Sequence, residues 1–331
     1  MPLSRASFVL LLASTPCLTV LAPHLAAAQT VPIESVGERA LGMGGAFVAV
    51  ADDATAVAWN PAGLATGRLA GMTIGWHQLQ LGNQDAAPVA GARRQRTTLT
   101  SFGTLPLGLS LNTIDVSEIV TASDGSLETR TFQARVWGVS LLQTVFPDVV
   151  VGGTVKLLRG GQAVAPVGAS TAGDVLASAS DANMARHTTM DFDLSAMANA
   201  PKLRIGLVLK NLRSPQFSED PDAGRPLERQ GRIGVAFLPV DGVTLAMDLD
   251  LNTVDLMGGL RRMCAVGGEA ALGSRLSVRS GIRWSVKGAH DPIGSIGASV
   301  RLSRAFWIDG HYAGGNTDEA REMGVALRMG I

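Results

Sequence analysis

"VTLAMDLDLNTV", residues 243–254, decides the fold. Val243, Leu245, Met247, Leu249 and Leu251 fall on one side of an extended chain, with Thr244, Asp248, Asp250 and Asn252 on the other. A period of two marks a strand with one apolar and one wet face. "RLSVRSGIRWSVKG" (275–288) repeats the scheme, setting Leu276, Val278, Ile282, Trp284 and Val286 against Arg275, Arg279, Arg283 and Lys287. "SIGASVRLS" (295–303) and "EMGVALRMGI" (322–331) carry single arginines, Arg301 and Arg328, in the same way.

Working outward from these, turn signals divide the chain after Leu69 into fourteen segments. The expected spans are 70–81, 96–104, 107–121, 127–145, 147–160, 187–199, 202–214, 228–239, 242–254, 260–272, 275–287, 292–302, 304–314 and 319–331. The third and fourth change phase midway. Their connections alternate in length. Tight links fall at Pro106, Pro147-Asp148, Ala200-Pro201, Pro239 to Gly242, Gly273-Ser274 and Ser303. Between them lie polar or Gly-rich links: Gly82 to Gln95, the Asp-Gly turn at 123–126, Gly160 to Arg186, Ser214 to Leu227, Asp255 to Gly259 and Gly314 to Asp318. The Ala-, Gly- and Ser-rich link from Gly160 to Arg186 reads as a mobile surface loop.

Short turns on one side and long loops on the other describe an all-β fold: a 14-stranded antiparallel transmembrane β-barrel with both termini on the short-turn side. A soluble β-sandwich has no reason to separate them so. A charge facing lipid at mid-bilayer costs about 2–4 kcal/mol. Asp191, Asp193, Arg204, Arg232, Asp248, Asp250, Arg279 and Arg283 are therefore expected to face the lumen, where they either pair with one another or line a path.

Composition agrees. Hydrophobic residues make up 46% of the 331-residue chain and mean hydropathy is +0.23. Yet no run of 18 or more apolar residues follows the leader, which excludes a transmembrane helix. The leader is residues 1–28: Arg5, the apolar Phe8 to Leu12 with Val20 and Leu21, and Ala26-Ala27-Ala28 before a cleavage site at Gln29. Cys17 follows Pro16 and lacks a lipoprotein context. Export into the outer membrane of a Gram-negative bacterium is the expectation. Lys and Arg number 28 against 28 Asp and Glu, a balance that argues against nucleic acid as a partner. Cys264 alone survives cleavage, so no intrachain disulfide is expected.

Residues 29–69 precede the first strand and have no place in the wall. A fourteen-stranded bore would leak unless filled, and this segment is expected to fold back into it as a plug, leaving 70–331 as the barrel. Gly42, Gly44 and Gly45 permit close approaches. In "ADDATAVAWNPAGLA" (51–65), Asp52 is expected to cap a short helix over Ala54 to Ala58 and Asp53 to favour its positive end. Asn60 before Pro61 ends that helix. Met43, Phe47 and Val48 are read as packing against the wall, with contact to an apolar ligand as the alternative.

The run "GERALGMGGAFVAVADDATAVAWNPAGLA" (37–65) resembles the N-terminal signature of the FadL-type outer-membrane transporters. It is similar, more closely still, to the PorV/PorQ family and to TraF-like exported proteins. Asn60, Pro61 and Ala62 match the Asn-Pro-Ala element of the plug. The resemblance implies a plugged fourteen-stranded barrel that carries fatty acids or aromatic hydrocarbons past a rearranging plug. A PorV-like member would instead be a non-transporting subunit of a secretion or surface-assembly system. Implied partners are outer-membrane lipids, a small hydrophobic ligand and, on the second reading, secretion proteins.

No enzymatic motif competes. "GMGGAF" lacks the third glycine of a dinucleotide fingerprint, and no P-loop is present. His77, His187, His290 and His311 lie scattered without metal-ligand spacing. The expectation is no enzyme, no cofactor and no metal.

Overall fold

The computed structural model describes residues 36–331 apart from 169, 182, 218–226, 257–258, 289–291 and 316–319. The leader and residues 29–35 lie outside the described residues.

Fourteen strands close into one antiparallel barrel. They are β1 (Ala70–Leu81), β2 (Arg93–Thr104), β3 (Leu107–Thr121), β4 (Leu127–Phe146), β5 (Val149–Pro166), β6 (His187–Ala200), β7 (Leu203–Lys210), β8 (Gln230–Phe237) and β9 (Val243–Asp250). After a small hairpin of β10 (Val254–Leu256) and β11 (Gly259–Arg261) come β12 (Met263–Leu272), β13 (Leu276–Ser285), β14 (Ile293–Arg301), β15 (Phe306–Gly315) and β16 (Arg321–Gly330). Each of the fourteen expected segments holds one wall strand. The seam joins β1 to β16, with Gly71 opposite Gly330. Ala70 and Ile331 exchange backbone hydrogen bonds there, so both ends of the wall meet at the short-turn rim.

The outer face carries the apolar set: Leu245 and Met247 on β9, Val278 and Ile282 on β13, and Val325 and Leu327 on β16 are all exposed. The inner face carries the small and charged set. An outward apolar band over a polar interior is the pattern of a wall that stands in lipid.

The phase change on β3 and β4 has a physical cause. Their register runs unbroken from Leu107 opposite Leu141 to Thr121 opposite Leu127. What changes is the surroundings. Near the short turns Leu107, Leu109, Leu111, Trp137, Val139 and Leu141 point outward. Toward the long loops the outer positions turn polar, with Arg96, Asp115, Gln133, Arg135 and Arg159. There Ile114, Val116, Phe132, Val136 and Leu158 bury inward against Phe217 and Leu227 of the β7–β8 loop. The strands rise out of the lipid, and a loop-filled mouth takes over the burial.

The link after Gly160 is not one loose loop: β5 continues to Pro166, and helix α3 (Ala172–Ala179) follows. Thr171 accepts from the Asp174 amide and caps α3. The helix buries Ala172, Val175 and Leu176 against Ala92 and Ile119.

Candidate functional site

The site is built from residues 36–69, which fill the bore. Helix α1 (Glu38–Gly42) packs on β13 to β16. Helix α2 (Ala56–Trp59) packs on β2 and β3, and a 3-10 turn (Pro61–Thr66) on β4 to β6. The segment therefore touches the wall on nearly every side. Met43, Phe47 and Val48 are fully buried in this contact. The chain can approach so closely because inward wall positions are glycines: a Cβ on Gly267 would stand 2.2 Å from Met43 O, and one on Gly281 2.3 Å from Met43 C. Gly44 returns the fit, with φ +69° and a virtual Cβ 2.8 Å from Ile282 N.

The helix expected over Ala54 to Ala58 under an Asp52 cap is displaced. The α-helical turn begins at Ala56, and Thr55 at its N-cap makes no side-chain cap. Asp53 instead accepts from both the amide and the hydroxyl of Thr55. Asp52 turns to charge: it pairs with Arg39 of α1 and, at 3.4 Å, with Arg204 of β7. Arg39 also meets Asp53 at 3.1 Å and Glu269 of β12 at 2.8 Å, so one guanidinium ties three carboxylates from segment and wall. Burial alone would raise the Asp53 carboxyl, but Arg39, Arg328 and Thr55 hold it below the ordinary range.

Backbone anchors complete the seat. Asp248 on β9 accepts from the amides of Phe47 and Val48, both at 2.9 Å. Asn60 donates to Val48 O at 2.8 Å and to Ala196 O of β6 at 3.1 Å. The Ala62 amide, after buried Pro61, donates to Ser195 Oγ at 3.2 Å. Ser295 donates to Gly42 O at 3.1 Å, and Gly45, also at positive φ, faces Trp59.

The remaining lumen charges pair. Lys156 bridges Asp191 at 2.8 Å and Asp193 at 2.6 Å. Arg232 meets Asp250 at 2.6 Å, Arg279 meets Glu269 at 3.3 Å and Asp309 at 3.5 Å, and Arg283 meets Glu322. Arg39, Lys156, Glu269, Asp309 and Glu322 belong to these networks and were not singled out from the sequence, whereas Arg328, read there as a wet-face arginine, meets Asp309 at 2.8 Å. Strand parity carries the signal for the wall members, since each sits at an inner-face position.

Toward the short-turn rim a cavity of about 330 Å³ remains, lined by Arg39, Asp52, Asp53, Arg68, Trp307 and Arg328 among others. Arg68, Arg301 and Arg328 all stand over the Trp307 ring, at 4.5, 5.3 and 5.2 Å. This is a charged vestibule, poorly suited to an apolar guest.

Two of the histidines that lie far apart along the chain come together in the fold. His77 and His311 are not scattered in space: they stack with ring centroids 5.7 Å apart, next to Glu322.

The fold is similar to that of solved channels. The CymD monoaromatic hydrocarbon channel aligns at 12% identity and TM-score 0.64, covering 91% of this chain and 99% of that one. The Ralstonia pickettii toluene transporter TbuX aligns at 11% and 0.63, covering 90% and 99%. A Pseudomonas aeruginosa FadL homologue aligns at 12% and 0.61, covering 91% and 98%. At such identities the likeness speaks for the barrel fold and for nothing finer. No curated protein matches the sequence. A family match spans residues 69–250, more than half of the chain, and by it the chain belongs to the family described as F plasmid transfer operon, TraF, protein.

Proposed function

We propose that the protein, after loss of a leader ending near Ala28, stands in the outer membrane of a Gram-negative bacterium and admits small hydrophobic compounds past its N-terminal plug. It is a port and not an enzyme. The observation that carries this reading is where the inner apolar surface lies. At the long-loop mouth Phe132 and Phe217 meet edge to face at 5.1 Å within an apolar cluster. Deeper in, the apolar inner surface is occupied by the segment itself. An apolar compound would be caught at the mouth by displacing Phe217 and Leu227, and could go further only if the segment shifts.

The moving part would be residues 42–64. Gly42 and Gly44 form its close contact with β13 and β14, Gly45 lets the segment turn against its own Trp59, and Asp52 and Asp53 are its charged latch. Asn60, Pro61 and Ala62 fasten it to β6. The solved proteins that share the fold include a monoaromatic hydrocarbon channel and a toluene transporter, which makes such compounds the first to try.

A second reading has one observation in its favour, the family description, which names a transfer operon. On it the protein is a non-transporting subunit of a secretion or assembly system, and the segment is a fixed cork. Mass spectrometry of small molecules extracted from the folded, detergent-purified protein separates the two. A stoichiometric fatty acid or hydrocarbon absent from detergent-matched controls supports the port. An empty barrel that co-purifies with a defined protein complex supports the subunit.

A further inference from the structure

His77 of β1 and His311 of β15 are both register partners of Gly324 on β16, the strand between them. Glycine puts no side chain on the inner face there, so the two imidazoles meet across the gap, their planes 21° apart. Glu322 lies two residues away on the same face of β16. Its Oε1 stands 3.1 Å from His77 Nε2 and 3.5 Å from His311 Nε2. The three side chains offer donor atoms that all lie within 4.8 Å of one another.

The chemistry of this cluster is unspent. All three residues are buried. Among the described residues none of the four ring nitrogens makes an aligned hydrogen bond, and neither does Glu322 Oε1. Four ligands at about 2.0–2.2 Å around a tetrahedral ion stand roughly 3.3–3.6 Å apart. The two nitrogen–oxygen separations lie close to that edge length without any rearrangement of the wall. The other oxygen of Glu322 is held by Arg283, which fixes the carboxylate in the way an outer-shell partner does. Two imidazoles and one carboxylate suit zinc and its neighbours, not magnesium or calcium.

We propose that His77, His311 and Glu322 bind one divalent transition-metal ion, zinc by preference, which clips β1 to β15 and β16 at the seam of the barrel. The fourth position is open to water. The Glu38 carboxylate of α1 rests over Gly75 and Gly324 beside it, its Oε2 without a partner among the described residues, where it can accept from that water and offset the charge of the ion. Glu322 is the second residue of β16, just below the long-loop rim, the side from which an ion would reach the site. The ion would thus join the first and last strands of the wall and touch the bore-filling segment, independently of what the port carries.

The test uses full-length, tag-free protein in detergent, stripped with chelator and titrated with Co²⁺ and then Zn²⁺. The expected result is one ion per chain by elemental analysis, visible ligand-field bands of four-coordinate cobalt that zinc abolishes, and a zinc-dependent rise in unfolding temperature. His77→Gln and His311→Gln should each weaken binding by more than about 100-fold, while His187→Gln on β6 leaves it unchanged. Heat-modifiable migration on gels checks that each variant has folded. Wild-type protein that binds neither metal at micromolar concentration overturns the proposal whatever the variants do. So does binding that persists in folded His77→Gln or His311→Gln.

Discussion

Removing the carboxylate of Asp248 should unseat the N-terminal segment while leaving the barrel wall intact. The side chain is 2% exposed and accepts the Phe47 and Val48 amides at 2.9 Å each. Hydrogen bonds to a charged acceptor contribute about 1.5–3 kcal/mol each, and buried amides left without a partner cost comparably. Against that, Asp248→Ala relieves the burial of a carboxylate and opens space that water can enter. A net cost of about 2 kcal/mol to the seated state follows, close to 30-fold in its opening equilibrium. Asp248→Asn keeps an acceptor oxygen and should cost about half as much. The strand ladder uses backbone groups alone, so β8, β9 and β12 should be untouched. Amide hydrogen exchange on peptides covering 44–52 reads the effect directly. Protection there should fall about 30-fold in Asp248→Ala, with wall peptides unchanged. If peptides 44–52 keep wild-type protection, Asp248 does not seat the segment and the reasoning fails.

Gly44 and Gly45 both sit at positive φ, so alanine at either costs about 1 kcal/mol of backbone strain. Only at Gly44 would the new Cβ also strike the wall, so Gly44→Ala should speed proteolysis of the segment well beyond Gly45→Ala, and equal rates would contradict the close approach to β13. Arg39→Met leaves Asp52, Asp53 and Glu269 facing one another, a loss of roughly 2–4 kcal/mol after allowing for the partial exposure of Asp52. Adding Glu269→Gln should recover part of it in the same exchange assay. Burial pushes the Glu38 carboxyl up to about 8 from 4.5. Between those values the seated segment holds a proton that the unseated one has lost, so seating is strongest below the lower value and weakens as pH rises toward the upper. With chelator present, α1 protection corrected for intrinsic exchange should fall from pH 5 to pH 8, and Glu38→Gln should flatten the profile.

Much of the wall was legible because lipid and water sort side chains strand by strand. The alternation in 243–254 and 275–288 gives the facing of Asp248, Asp250, Arg279 and Arg283 directly. Parity says which way a residue points, but not which distant residue it meets. Arg39 takes Asp52 away from the helix it seemed placed to cap, a competition between charge pairing and capping that local sequence does not show. His77 and His311 meet only because the barrel closes, bringing the first strand to the last two. The phase change on β3 was visible, yet its cause lies in Phe217 and Leu227, far along the chain. Helix α3 did announce itself, since Thr171 and Asp174 have capping-box spacing. The Ala, Gly and Ser around them obscured it.

On the port reading, an apolar compound passes only when the segment yields. Uptake of a radiolabelled monoaromatic or fatty acid should be measured in an outer-membrane host that lacks its own channels for such compounds. Folded wild-type protein should raise uptake above the empty host, and Asp248→Ala should raise it further. Uptake equal to that of the empty host for both proteins, with the folded barrel present in the membrane, would contradict the port.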